Sequence, residues 1–402
     1  MIKDIFKFAV LALVGCGAIT LQAQQAQTAS RVHRFIPQES SVDSESAPLR
    51  VVSIGPDRVY RDMLGLRTNG WLGSDVGESI VLSPDKTLWL FGDTFISALT
   101  NGVRVGGGPM INSTIAIQNR KQPPPDCLTF YWKQKDGKPA SFFPHQNGTP
   151  GDYYWVTKGV MLHGELFLWA WCITSAGEKA GGFREMGSAL IRVTNPLDPP
   201  ERWVQKVFPL ALVPGDTFQT ALVVKAPYLY LYGVVRPRQM ALARVRITDL
   251  MAGKLTEAYE YWVRGLGGPH WAREAIDCVP QFLPVNTECT VNYEPAWGLY
   301  TCFTYVPNQP EIFLTTAKEL TGPWSRPKPI YQVPEYRQFR FPISSYAVRQ
   351  HPELSTKSGE IILTYATNVP GSVNELFTEA GRDLYVIRFV RIQLAVNQPP
   401  KN

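Results

Sequence analysis

The sequence predicts an all-β protein, a five-bladed β-propeller. Three observations carry that prediction. A short apolar run, a tight turn and a second apolar run rich in aromatic and β-branched residues recur five times. The copies start at Val76, Val156, Phe218, Glu288 and Tyr346, giving intervals of 80, 62, 70 and 58 residues. No stretch carries the 3.6-residue period of a long amphipathic helix. Hairpins at this repeat length match propeller blades of about four strands each. A propeller gathers the inner strand of every blade around one axis, so residues far apart in sequence meet there.

The first hairpin covers 76–82, turns at Ser83-Pro84-Asp85-Lys86 and returns over 87–93. The second covers 156–162, turns at His163-Gly164 and returns over 165–171. The third covers 218–224, turns near Ala226-Pro227 and returns over 228–233. The fourth covers 288–293, turns at Glu294-Pro295-Ala296 and returns over 298–305. The fifth covers 346–349, takes a longer turn through Lys357-Ser358-Gly359 and returns over 360–366. One further strand follows each hairpin, at 113–117, 188–193, 241–247, 311–316 and 384–392. A strand candidate at 50–54 precedes the first blade. Paired with the last blade, it would close the ring and remove an exposed edge.

These elements define one propeller domain over 49–395, followed by a polar tail at 396–402. Residues 1–23 read as an export signal, with Lys3 and Lys7 ahead of a short apolar core at 8–14. The core ends in Leu13-Val14-Gly15-Cys16, similar to a bacterial lipobox, which would make Cys16 the lipid-bearing first mature residue. The alternative is an ordinary secretory signal cut near Ala23. Both place the mature protein outside the cytoplasm, in the cell envelope or secreted, with any membrane link made only through Cys16. Residues 24–48 are rich in Gln, Ser and Ala and read as a tether.

Net charge is +6, yet Lys and Arg are scattered, and a nucleic-acid partner needs a concentrated basic face. The Gly-rich run at 105–109 does not join a strand to a helix, so it is no phosphate loop. No paired-histidine helix or cysteine spacing calls for a metal, and nothing calls for a cofactor. Beyond Cys16 there are five cysteines. Cys289 could face Cys302 across the fourth hairpin; Cys278 with Cys289 is the competing pairing.

Acids at the ends of inner strands are the chemical signal. Asp75 precedes the first hairpin, Asp93 closes its returning strand, Asp216 precedes the third and Glu288 opens the fourth. Glycoside hydrolysis needs two carboxyl groups flanking the scissile bond, one holding a proton and one ionised. The alternative for Asp93 and Asp216 is a turn residue bonding its own backbone. Glu78 is expected to point outward on the first strand. Trp71, Trp155 and Phe218 are candidate platforms for sugar rings, and Asn112, Arg273 and His351 candidate hydroxyl binders. Trp89, Trp169 and Trp171 are assigned to packing between blades.

The run from Ser74-Asp75-Val76-Gly77-Glu78 to Phe91-Gly92-Asp93-Thr94-Phe95 resembles the opening signature of the domain-of-unknown-function family 4185. Glu288-Cys289-Thr290-Val291 through Leu320-Thr321-Gly322-Pro323-Trp324 is similar to that family's fourth blade. His351-Pro352-Glu353-Leu354 with Leu363-Thr364-Tyr365-Ala366-Thr367-Asn368 is similar to its last. The resemblance implies a five-bladed propeller related to endo-acting enzymes that cut D-arabinan. It also implies Asp75 as base or nucleophile, Glu288 as acid and Asp93 as an orienting neighbour. The second hairpin departs from a three-acid arrangement by placing Lys158 where a carboxylate would stand. Two functions follow: an exported glycoside hydrolase acting on a polysaccharide or oligosaccharide, with a furanose polymer as one substrate class, or a non-catalytic glycan-binding or surface-assembly propeller.

Overall fold

A computed structural model describes residues 48–396 apart from 67–68, 107, 109, 148, 150, 176–181, 213–214, 237 and 371–372. The export signal, the tether up to residue 47 and the tail from 397 lie outside the described residues. Five antiparallel sheets follow one another along the chain and form the blades of a five-bladed β-propeller. Their innermost strands are Asn69–Ser83, Asp152–Leu162, Ala221–Lys225, Thr290–Glu294 and Ser344–Gln350. Each of these strands packs against the next, and the fifth packs against the first. That closed circuit of contacts defines the axis.

Each predicted hairpin is present: Asn69–Ser83 pairs with Lys86–Thr100, Asp152–Leu162 with Glu165–Ser175, Ala221–Lys225 with Tyr228–Val235, Thr290–Glu294 with Leu299–Tyr305, and Ser344–Gln350 with Glu360–Asn368. Third and fourth strands complete blades 1, 2 and 4, and blade 3 gains a fifth strand, His270–Ala272. Blade 5 takes its outermost strand from the start of the domain. Leu49–Pro56 pairs antiparallel with Arg388–Val396, in the register Leu49 to Val396 and Pro56 to Val390. This satisfies the edge that a ring of consecutive hairpins would leave open.

The strand expected at 384–392 begins at Arg388 instead. Leu384 and Tyr385 precede it, with Tyr385 held at φ 58°. That left-handed turn swings the Tyr385 ring toward the axis rather than into the sheet.

Apolar side chains fill the spaces between blades. Trp89 and Trp169 are fully buried, and Trp171 nearly so, as expected for packing residues. Burial of a large aromatic stabilises by roughly 2–3 kcal/mol, so these rings set much of the blade spacing. Buried polar staples supplement them. The guanidinium of Arg104 donates to the carbonyl oxygens of Leu72, Leu376, Arg382 and Leu384, tying blade 1 to the loop that carries Tyr385. Cys289 and Cys302 do face each other across the fourth hairpin, as thiols with Sγ atoms 3.7 Å apart.

Candidate active site

The inner strand of blade 1 is irregular where its acid stands. Register shifts fall between Trp71 and Ser74, Ser74 and Val76, and Val76 and Glu78. Val76 sits at φ 69° and Gly73 at φ 115°. A side chain on Gly73 would overlap the Tyr385 carbonyl oxygen. These bulges break the simple alternation of faces and turn Asp75 inward. Opposite it, the Phe91-Gly92-Asp93-Thr94 run gains its meaning. A Cβ at Gly92 would overlap Asp75 Oδ1, so only glycine lets the Asp75 carboxyl lie against the returning strand.

Asp75, Asp93 and Glu288 are brought together at the axis, all buried. Asp75 Oδ2 accepts hydrogen bonds from the hydroxyls of Tyr346 and Tyr385, each at 3.2 Å. Asp93 Oδ1 accepts from Trp155 Nε1 and Asn112 Nδ2, each at 2.9 Å. Glu288 Oε1 accepts from Arg349 Nη2 at 2.9 Å. The Tyr305 hydroxyl is near the Glu288 carboxyl, but Oε2 has no partner at hydrogen-bond geometry. Burial and then the charges of Asp93 and Glu288 push the Asp75 carboxyl well above the ordinary carboxylate range. Burial also raises Asp93, against the pull of its Trp155 and Asn112 bonds. It raises Glu288 too, opposed by Arg349 and Lys158.

One step further along the inner strands lies a chain of alternating charge that sequence inspection missed. Lys158 Nζ of blade 2 is 2.8 Å from Glu78 Oε2 of blade 1, and Arg349 Nε of blade 5 is 3.5 Å from the same oxygen. Arg349 then reaches Glu288 of blade 4. Glu78 is therefore buried and paired, not outward. Its signal lay in a spacing of three residues from Asp75, which a plain strand would place on the other face; the bulge between them hides the relation.

The other candidates divide. Asn112 and Trp155 belong to the site, through Asp93. Trp155 also joins Tyr153 and Phe183 in an aromatic group beside Asp93. Trp71 does not: it is buried in blade 1, stacked on Phe130 at 4.7 Å with its Nε1 bonded to Thr114. Phe218 is buried against Tyr261 in blade 3. Its place in an apolar inter-blade layer leaves no face for a sugar.

Arg273 is exposed just past the outermost strand of blade 3 and bonds the Glu257 carbonyl oxygen, so it stands at the rim. Asp216 is half-buried and accepts from the Arg236 backbone N–H at 3.2 Å, across the hairpin just past the returning strand rather than within its own turn. His351 is fully buried, its ring tilted against Trp89 at 4.9 Å and bonded through both ring nitrogens, to Ser79 and Thr364. Burial, with Arg349 and Lys158 nearby, lowers its pKa to about 3. It is a neutral packing residue, not a hydroxyl binder.

Fold and site together define a five-bladed propeller with a cluster of carboxyl groups buried on its axis. A profile of the family described as Domain of unknown function (DUF5005) matches residues 57–394, and the chain belongs to that family. The match names this family, not family 4185; the five-bladed fold expected from the earlier resemblance is the fold observed. No curated protein matches the chain.

Among solved structures, one from Bacteroides ovatus ATCC 8483, provisionally described as a hydrolase, is similar with a TM-score of 0.68 and 16% identity. That likeness covers 84% of this chain and 90% of the other. The α-L-arabinofuranosidase of Podospora anserina, solved with cellotriose, gives 0.44 at 13% identity over 86% of this chain and 96% of its own. A GH43_1 enzyme from Xanthomonas citri gives 0.43 at 11% over 82% and 91%. At these identities the likeness is one of fold.

Proposed function

We propose that the protein is an exported glycoside hydrolase acting on a polysaccharide or oligosaccharide, with a furanose polymer as one class to test. The observation that carries this is the convergence of Asp75, Asp93 and Glu288, from blades 1 and 4, on one buried axis. Burial raises all three carboxyls, and Asp75 is raised further by the charges of Asp93 and Glu288, which favours a proton held in the group for a leaving glycosidic oxygen. Hydrogen bonding divides the roles. Two phenol donors on Asp75 Oδ2 favour its ionised form against the burial that raises it, which suits a base or nucleophile once its proton has left. Glu288 is pinned through Oε1 and leaves Oε2 for the donated proton. Asp93, locked by Trp155 and Asn112, orients and tunes Asp75. The aromatic group of Tyr153, Trp155 and Phe183 beside Asp93 offers apolar faces for sugar rings.

A panel of bacterial and plant polysaccharides, assayed for released reducing ends, tests the proposal. Asp75→Asn and Glu288→Gln should each abolish release while circular dichroism stays unchanged. Full turnover in both variants on a cleaved substrate would overturn the roles. A glycan-binding propeller without catalysis is the second reading, favoured by the near-complete burial of the three acids. It predicts retention of a polysaccharide with no product.

A further inference from the structure

The buried polar groups of the inner strands are unevenly satisfied. Toward blades 5, 1 and 2, Asp75 and Asp93 take bonds from Tyr346, Tyr385, Asn112 and Trp155. Toward blade 3, Gln219 is 1% exposed, and neither Oε1 nor Nε2 has a partner. Buried amides are almost always bonded, so an amide with both ends open needs a reason. The hydroxyls of its neighbours Thr217 and Thr220 are buried and unpartnered as well.

Backbone geometry sets Gln219 at the level of Glu288. Both stand two residues upstream of their blade's innermost strand, Ala221–Lys225 and Thr290–Glu294. The residues that follow them are joined, since the Cys289 N–H donates to the Thr220 carbonyl oxygen at 3.5 Å. Thr220 and Thr217 are in turn bonded through their N–H groups to Tyr232 and Val234 of the returning strand, which fixes the segment. Phe218 takes the packing position in blade 3.

We propose that Gln219 is the residue that recognises a pair of adjacent sugar hydroxyls held next to Glu288. A neutral amide offers one acceptor and two donors side by side, which matches a vicinal diol in which one hydroxyl donates and the other accepts. It rejects neither anomer by charge and selects by hydroxyl arrangement. The assignment rests on the glycan reading of the axial site.

Gln219→Met keeps the volume and removes the polar atoms. It should raise KM, or weaken retention of a bound polysaccharide in affinity electrophoresis, by about tenfold to a hundredfold. Its Tm should equal or exceed that of the unsubstituted protein, because an unsatisfied buried amide has been removed. A lowered Tm with unchanged KM and retention would mean a structural role and overturn the proposal.

Gln219→Glu gives a second readout. A carboxylate beside Glu288 should move the upper limb of the pH–rate profile to higher pH; an unmoved limb counts against the placement. Retention without product would sink the hydrolase reading and leave the Gln219 assignment to be judged by retention alone. A protein that neither cleaves nor retains any member of the panel overturns both.

Discussion

Lys158 allows the sharpest physical test of the buried charge chain. Its ammonium is 2% exposed and 2.8 Å from Glu78 Oε2. Burial, and then the Arg349 charge, lower its pKa from 10.5 to about 8, with Glu78 pulling the other way. At about 1.4 kcal/mol per pH unit, holding that ammonium charged in the folded protein costs about 3 kcal/mol near neutral pH. As pH rises through 8, the folded protein loses the proton before the unfolded chain does, so the cost is recovered between pH 8 and 10.5.

Lys158→Met removes this dependence. The lowered pKa already nets the attraction of Glu78, and the methionine's own packing also enters the absolute difference at pH 7, so the pH slope is the informative quantity. Between pH 7 and pH 10 the stability of the unsubstituted protein relative to the variant should rise by about 2–3 kcal/mol. Urea unfolding followed by tryptophan fluorescence at each pH measures it. Parallel curves for the two proteins would refute the burial and pairing of Lys158.

Three further outcomes follow from the same geometry. Because burial and its acidic neighbours raise the Asp75 pKa, ionising it destabilises the fold as pH climbs above the ordinary carboxylate range. Asp75→Asn should therefore melt higher than the unsubstituted protein at pH 7–8, with the difference vanishing below about pH 4 in calorimetry. Gly92→Ala drives a methyl into Asp75 Oδ1; on a cleaved substrate, kcat/KM should fall by about a hundredfold with secondary structure intact by circular dichroism. Removing the first 56 residues deletes Leu49–Pro56 and exposes the edge of Arg388–Val396, so size-exclusion chromatography should show aggregation in place of a single folded species.

The ring was legible in the sequence because each hairpin carries its own turn chemistry and its own alternating apolar faces. Even the closing strand could be read, since 50–54 had no other partner to take. Asp75, Asp93 and Glu288 were visible because an acid at the end of an apolar strand is anomalous, and Asn112 and Trp155 were singled out as sugar binders with no sign in the sequence that both donate to Asp93. What misled was apolar surface: Trp71 and Phe218 have the composition of a platform, yet only packing decides whether a ring faces solvent or another ring. His351 failed similarly, since its two partners, Ser79 and Thr364, lie on other strands. The paired charges Glu78, Lys158 and Arg349 come from three blades, and a charge in one strand does not announce its counter-ion in another.

That hidden charge chain bears on the protonation of the acids. Among the described residues, the cations paired within the group of Asp75, Asp93, Glu78 and Glu288 are Lys158 and Arg349. Full ionisation would leave two uncompensated negative charges in a medium that screens them poorly. Both cations bond Glu78 or Glu288, and none is bonded to Asp75 or Asp93. Burial raises Asp75, Asp93 and Glu288, so the excess favours a proton on this trio. On the hydrolase reading, such a site would meet its substrate with a proton already held on a carboxyl, the state from which general acid catalysis on a glycosidic oxygen starts.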